Sequence, residues 1–266
     1  MKILIPMAGA GQRFQDAGYT ASKPAIPTWD VKTGRKLPMV VCAVNCLPGL
    51  ETEGKNLLLV ERDFHRSEGT EGIIREQFPK ARFITVNELT EGQACTCLLA
   101  KEWIDNDDEL LIAGCDNGML FNKDKFDKLR QEADMLVFTY RNNDAVMANP
   151  DAYGWMKTDD AGNITGLSIK KAISSTPKKD HAVVATFWFR HGRQFVKAAE
   201  KMIAENDRIN GEFYVDETVK HALALGYRTK VFEIDRYIGW GTPKDYEEYQ
   251  ASYEYWQGFA KKEGLL

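Results

Sequence analysis

The residues best placed to do chemistry lie near the N-terminus, in Pro6-Met7-Ala8-Gly9-Ala10-Gly11-Gln12-Arg13-Phe14 followed by Lys23-Pro24. An apolar run from Ile3 to Met7 ends in Gly-Ala-Gly. Small residues there let the backbone approach a ligand and offer its N–H groups to phosphate or base. Arg13 and Lys23 bring two positive charges to the same region, and a triphosphate carries the matching negative charge. Two familiar phosphate loops are excluded. No G-x-x-x-x-G-K-[ST] is present, and Phe14 stands where a dinucleotide fingerprint needs a third small residue. Taken alone, the loop reads equally as a tight turn with surface charges.

The surrounding elements must position this loop. Strands are expected over 3–7, 56–61, 82–86 and 109–114, with helices over 37–47, 72–78 and 92–104 between them. Strands separated by helices imply parallel pairing through crossover connections, hence a doubly wound, mainly parallel α/β sheet. Ligands of such sheets bind at the C-terminal ends of the strands. Beyond residue 118 the pattern is mixed: strands over 135–141, 182–189 and 229–234, a hairpin over 154–168, and helices over 194–205 and 216–225. A final helix is expected from Pro243, capped by Thr242, with Tyr246, Tyr249, Tyr253 and Trp256 on one face for core packing or a subunit interface. No internal repeat or linker is evident. The reading is one domain over 1–266, with a nucleotide-binding part over about 1–118, a small mixed-sheet acceptor-binding insertion over about 119–242 and the closing helix over 243–263.

Composition narrows the class. The 266 residues are 44% hydrophobic and 28% charged, ordinary for a globular chain with a core. A net charge of −4 argues against nucleic acid as partner. No apolar stretch approaches the roughly 20 residues needed to span a bilayer, so no membrane is expected. The N-terminal apolar run is too short for a signal peptide and reads as a strand. The five cysteines (Cys42, Cys46, Cys95, Cys97, Cys115) form no C-x-x-C pair, which fits reduced thiols and a cytoplasmic location. None of the four histidines has a metal-ligand partner at helical spacing.

Gly9-x-Gly11-x-Arg13-Phe14 with Lys23-Pro24 resembles the signature loop of the sugar-phosphate nucleotidyltransferases, whose members include small-acceptor cytidylyltransferases. Further matches follow in the family's order. Thr90-Glu91-Gly92 resembles the segment that reads the base, Asp116 falls where a Mg²⁺-binding Asp follows its strand, and Lys171 falls at the lysine of a Glu-Lys-Pro motif. The strand over 182–189, Asn210-Gly211-Glu212 and Gly241-Thr242-Pro243 complete the series. The resemblance covers nearly the whole chain and implies a GT-A-like nucleotidyltransferase fold. It also implies transfer of a nucleoside monophosphate from an NTP to a small phosphorylated acceptor, with Mg²⁺ as cofactor. On that footing Ala8, Gly9, Ala10 and Gly11 hold the nucleotide, and Glu91 and Gly92 contact the base. Arg13 binds the leaving phosphates, Lys23 neutralises the α-phosphoryl group and Asp116 holds Mg²⁺. Lys170, Lys171, Ala185, Glu212 and Trp240 are assigned to the acceptor, Trp240 reading equally as core.

Three positions depart from the family pattern. Glu-Lys-Pro is here Lys170-Lys171-Ala172, Ala185 replaces a glycine of hexose-specific members, and Gly239 replaces a second metal-binding Asp. The first two weaken a hexose-1-phosphate reading that would use UTP or dTTP. They favour a small acceptor bearing extra negative charge, such as an amino-acid phosphate, a phosphonate or an acidic sugar, with CTP as the favoured NTP. The third leaves Asp235, Asp216 or Glu217 as substitutes for the missing ligand. A glycosyltransferase is the rival enzyme, but Cys115-Asp116-Asn117-Gly118 lacks its Asp-x-Asp. A non-catalytic nucleotide-binding regulator is the rival of another class. A homodimer through the aromatic final helix remains open.

Overall fold

Strand β1 (Lys2–Pro6) buries Ile3 and Ile5 on one face and Leu4 on the other, a pattern that suits a strand covered on both sides. The computed structural model, which describes residues 1–265, places it at the centre of a nine-stranded sheet. After β1 come α1 (Gln12–Asp16), β2 (Pro27–Trp29), β3 (Lys36–Pro38), α2 (Met39–Asn45), β4 (Leu57–Arg62), α3 (Asp63–Ser67), α4 (Thr70–Gln77) and β5 (Arg82–Val86). The chain continues through α5 (Gln93–Leu98), α6 (Lys101–Ile104), β6 (Leu110–Ala113), β7 (Asn117–Leu120), α7 (Lys123–Glu132) and β8 (Met135–Tyr140). Then follow β9 (Gly154–Thr158), β10 (Ile164–Ile169), β11 (His181–Phe189), α8 (Gly192–Ala204), α9 (Thr218–Ala224), β12 (Thr229–Glu233), β13 (Arg236–Gly239) and α10 (Pro243–Lys262).

Strands β5, β4, β1 and β6 lie side by side and parallel. Strand β11 runs antiparallel to β6 and to β8, and β12 returns parallel to β8. The hairpin β9–β10 extends the same sheet from the first residues of β11. Alternation sends Ile3, Leu59 and Leu111 to one face, under Val44 of α2, Ile74 of α4 and Phe126 of α7. Leu4, Val60 and Ile112 go to the other, under Cys97 of α5, Phe195 of α8 and Val219 of α9. This is the doubly wound α/β sheet that the alternating elements imply, with antiparallel strands added on the side of the later half. No described helix is long and apolar enough to cross a membrane, and all five cysteines are free.

Local differences have local causes. The helix expected over 37–47 begins at Met39, because Leu37 pairs with Thr28 in the β2–β3 hairpin. The helix expected over 92–104 is two helices, since i→i+3 bonds from Leu99 to Thr96 and from Ala100 to Cys97 tighten the end of α5. Helix α7 was not expected: Lys123–Glu132 carries one buried side chain, Phe126, among charges. Strands β7 and β13 form a separate two-stranded sheet that the sequence pattern does not announce.

Candidate active site

The four parallel strands end on one edge, and the glycine-rich loop leaves β1 there. Met7 still donates to the Val60 carbonyl of β4 (2.9 Å). Among the described residues, the N–H groups of Ala8, Gly9, Ala10 and Gly11 then donate to no protein acceptor. Gly11 has φ +67°, a conformation that costs a side-chain-bearing residue about 1 kcal/mol or more, and its carbonyl accepts from Phe14 (3.0 Å) to start α1. The loop thus presents four consecutive free donors, with Arg13 exposed and unpaired just beyond them.

Lys23 comes to the same place by a different route. Buried Pro24 seats the turn, and Ser22 shares a hydroxyl hydrogen bond with Thr70 of α4 (2.9 Å). The Lys23 ammonium lies 2.5 Å from Asp116 Oδ2, 3.3 Å from the Gly241 carbonyl and 5.4 Å from the Phe14 ring centroid. Asp116 is held at the end of β6 from both sides. Gly114 donates to the Ala185 carbonyl of β11, and Trp240 donates to the Asp116 carbonyl, each at 3.0 Å. Burial alone would raise the Asp116 pKa, but the Lys23 charge and hydrogen bond hold it below the usual carboxylate range. Burial would lower the Lys23 pKa, and Asp116 reverses that. Burial, with Asp116 adding to it, pushes the neighbouring Cys115 thiol up to about 12, so it is no nucleophile near neutral pH.

The donor set around Asp116 is made of hard oxygens. Asn117 Oδ1 and Asp116 Oδ1 both lie over Gly114, at 2.9 and 3.2 Å from where its Cβ would stand. No cluster of three His, Cys, Asp or Glu side chains is present among the described residues. One carboxylate beside a carboxamide suits Mg²⁺, which is commonly held by one or two carboxylates plus substrate phosphates. None of Asp235, Asp216 and Glu217 joins Asp116 in such a cluster. The position facing the Asp116 carboxylate is also a different glycine. A Cβ on Gly241 would lie 3.5 Å from Oδ2, whereas one on Gly239 would meet the Tyr237 ring at 3.0 Å.

Glu91 and Gly92 lead into α5 in a fixed arrangement. The exposed Glu91 carboxylate pairs with Arg208 (2.9 Å), which lies 4.0 Å over the Phe213 ring centroid. The Glu91 carbonyl accepts from Phe213 N–H (2.8 Å), and a Cβ on Gly92 would stand 2.5 Å from that nitrogen. The need for glycine at 92 therefore comes from the Phe213 backbone.

Among the residues expected to meet the acceptor, Ala185 adopts φ +54° at an irregularity in β11, between the residues paired with the two ends of β8. It keeps the backbone conformation of a glycine while carrying a methyl group. Lys170 has φ +57°, donates to the Ala152 carbonyl (2.5 Å) and lies 5.4 Å over the Tyr214 ring centroid. Lys171 and Glu212 are exposed. Trp240 is fully buried, against Gly118 and 5.5 Å from the Tyr249 ring, and so fills the core rather than walling a pocket.

Sequence reasoning missed two neighbours, Tyr237 and Tyr140, and named a third, Asp216, only as a substitute metal ligand. Tyr237 stacks on Tyr140 (4.3 Å, 2° between planes) beside Gly239, and the Tyr140 hydroxyl is buried without a partner among the described residues. Asp216 packs against the Gly154 backbone, too close for any Cβ there. Burial raises its pKa, with the Lys170 charge opposing. Tyr237 was legible in principle, since a spacing of two along a strand puts it on one face with Gly239.

This is the architecture of the nucleotidyltransferase fold. The nucleoside-diphosphate-sugar pyrophosphorylase from Vibrio cholerae RC9 superposes with TM-score 0.71 at 19% identity, covering 93% of this chain and 98% of that one. A protein provisionally named glucose-1-phosphate thymidylyltransferase from Bacillus anthracis, with sucrose bound, gives TM-score 0.70 at 17% identity over 95% of each chain. The inositol-1-phosphate CTP transferase from T. maritima gives 0.63 at 13% identity, covering 94% and 93%. No protein-family model and no curated protein matches the chain.

Proposed function

We propose that this protein is a nucleotidyltransferase that moves a nucleoside monophosphate from an NTP to a small phosphorylated or phosphonate acceptor, releasing pyrophosphate. The observation that carries the reading is the convergence of four free loop N–H groups, Arg13, the Lys23 ammonium and a lone Asp116 carboxylate at one sheet edge. That set neutralises and orients phosphate and contains no activated side-chain nucleophile. An acceptor phosphate needs none, because its second pKa of roughly 6 leaves it mostly dianionic near neutral pH.

An acceptor oxygen bonds to the α-phosphorus while the bond from that phosphorus to the bridging oxygen of pyrophosphate breaks. The Ala8–Gly11 N–H groups hold the phosphate chain, Arg13 takes the β and γ phosphates, and Lys23 neutralises charge on the α-phosphoryl oxygens. Asp116, with Asn117 beside it, would hold Mg²⁺, which when bound adds further charge neutralisation on the phosphates. Glu91 and Gly92 border the base. Lys171 is the free cation for the acceptor phosphate, and Ala185, Lys170 and Tyr214 border the rest of the acceptor. CTP is the favoured nucleotide, since the acceptor side departs from the hexose pattern and one similar structure is named a CTP transferase. Residues 1–118 and 119–242 act as nucleotide and acceptor parts of one unit, in the cytoplasm.

The test is a pyrophosphate-release screen of the four NTPs against phosphorylated acceptors. Release that needs both NTP and acceptor is expected. Release of free nucleoside diphosphate would indicate glycosyl transfer, and binding without turnover a regulator. An Asp116→Ala enzyme with near-normal Mg²⁺-dependent turnover would overturn the metal assignment.

A further inference from the structure

Helix α10 uses one face on its own chain and leaves another bare. Tyr246 and Tyr249 donate to the Pro27 and Trp29 carbonyls (2.7 and 2.6 Å), and Tyr253 stacks on Trp29. Away from those contacts Tyr255, Trp256 and Phe259 remain 65, 59 and 43% exposed, Tyr255 and Phe259 on the far face and Trp256 at its border with the Tyr249 side. Three large aromatics open to water within five residues are unusual where scattered single apolar side chains are the norm. Glu248, Ser252, Tyr255, Phe259 and Lys262 follow the 4-3-4-3 spacing of a helix–helix seam. Beside the seam, between α10 and β13, opens a groove of about 510 Å³ lined by Arg236, Ile238, Ser252, Trp256 and Gln257 among others.

We infer that this face is a homodimer interface in which two α10 helices pair antiparallel, centred on Tyr255. The face is self-complementary in that register. Glu248 of one copy meets Lys262 of the partner subunit, and Ala251 meets Phe259 of the partner subunit, large against small at both ends. Ser252, one position on, places the partner's phenyl ring at the mouth of the groove. Charge agrees: Glu248 is exposed, touching Lys244 only at 3.8 Å, and Lys262 pairs with no carboxylate among the described residues. A parallel pairing would instead set Glu248 against Glu248 and Lys262 against Lys262. The area also suffices. Three such aromatics remove roughly 300 Å² per copy, and the groove walls and the rest of a helix about 30 Å long extend this toward the roughly 800 Å² per partner of stable complexes.

Sedimentation and light scattering of the full chain should give twice its 30.1 kDa at tens of micromolar. Phe259→Glu, Glu248→Lys and Lys262→Glu should each raise the dimer dissociation constant at least tenfold while circular dichroism and melting stay unchanged. Mixing Glu248→Lys with Lys262→Glu should restore dimer, because each heterodimer regains two opposite-charge contacts. The double substitution in one chain should do the same. A wild-type monomer at 100 μM overturns the inference. So does a dimer indifferent to all three changes, or charge variants that weaken the dimer yet fail to rescue each other.

Discussion

Lys23 and Asp116 form an ion pair whose two pKa shifts point the same way, toward both groups staying charged. Asp116 has its pKa lowered, so its contribution is present above the unfolded value of about 3.9 and is lost as pH falls through the lower folded value. Lys23 has its pKa raised, so its contribution is present below about 10.4 and is lost only as pH rises through the higher folded value. Across the working range neither titrates. The acid limb of the rate profile should therefore follow the acceptor phosphate, falling with unit slope below about pH 6. Exchanging a phosphate ester for a more basic phosphonate should move that limb upward; an unmoved limb would assign it to the protein. Lys23→Ala should lower kcat on the order of 100-fold, the usual cost of removing one preorganised group facing developing charge. Single-turnover measurement of nucleotidyl transfer separates that from slower product release.

At the scale of elements, strand ends store costs that substitutions can release. Glu61, at the end of β4, is fully buried beside Thr85 of β5, with Oε2 unpartnered among the described residues. Burial, reinforced by Glu71, pushes its pKa up to about 7. A carboxyl with a raised folded pKa contributes fully below its unfolded value of about 4.3 and loses that contribution as pH rises through about 7. Glu61→Gln should thus stabilise by roughly 3 kcal/mol at pH 8 and by little at pH 4, read from denaturant midpoints. Ala185, at φ +54°, offers the converse case. Ala185→Val should cost about 1–2 kcal/mol through a β-branched residue in the left-handed region, with Ala185→Gly within about 1 kcal/mol of wild type. Continuous apolar runs such as Leu57–Val60 and Leu110–Ala113 made the central strands legible, and Thr242-Pro243 announced α10, where Thr242 Oγ1 accepts from Asp245 N–H (3.2 Å). Strands β7 and β13 were not legible, because a four-residue strand shows its pairing partner only once the chain has folded. The glycine-rich loop could be singled out because glycine and charge leave marks in sequence. The Arg208 clasp on Glu91 spans 117 residues and leaves none.

The molecule as a whole is joined at the site by groups remote in sequence. Lys23 reaches Asp116, 93 residues away, and the Gly241 carbonyl, 218 residues away at the entrance to α10. On the proposed function, a nucleotide bound there would bridge the β1 loop, the end of β6 and the segment leading into the last helix, so occupancy would stabilise the folded chain as a unit. Ligand at 100 times its dissociation constant adds about 2.7 kcal/mol, or roughly 5–10 °C in melting temperature for a chain of this size. The increment should depend on Mg²⁺, because without it the triphosphate adds negative charge beside Asp116 with only Lys23 and Arg13 to balance it. CTP with Mg²⁺ should therefore raise the melting temperature more than CTP with a chelator. Asp116→Asn should lose the Mg²⁺-dependent part and keep or enlarge the Mg²⁺-free part, since one negative charge has been removed from beside the phosphates. An Asp116→Asn protein with the full Mg²⁺ increment would place the metal on the phosphates alone and leave Asp116 as the anchor of Lys23.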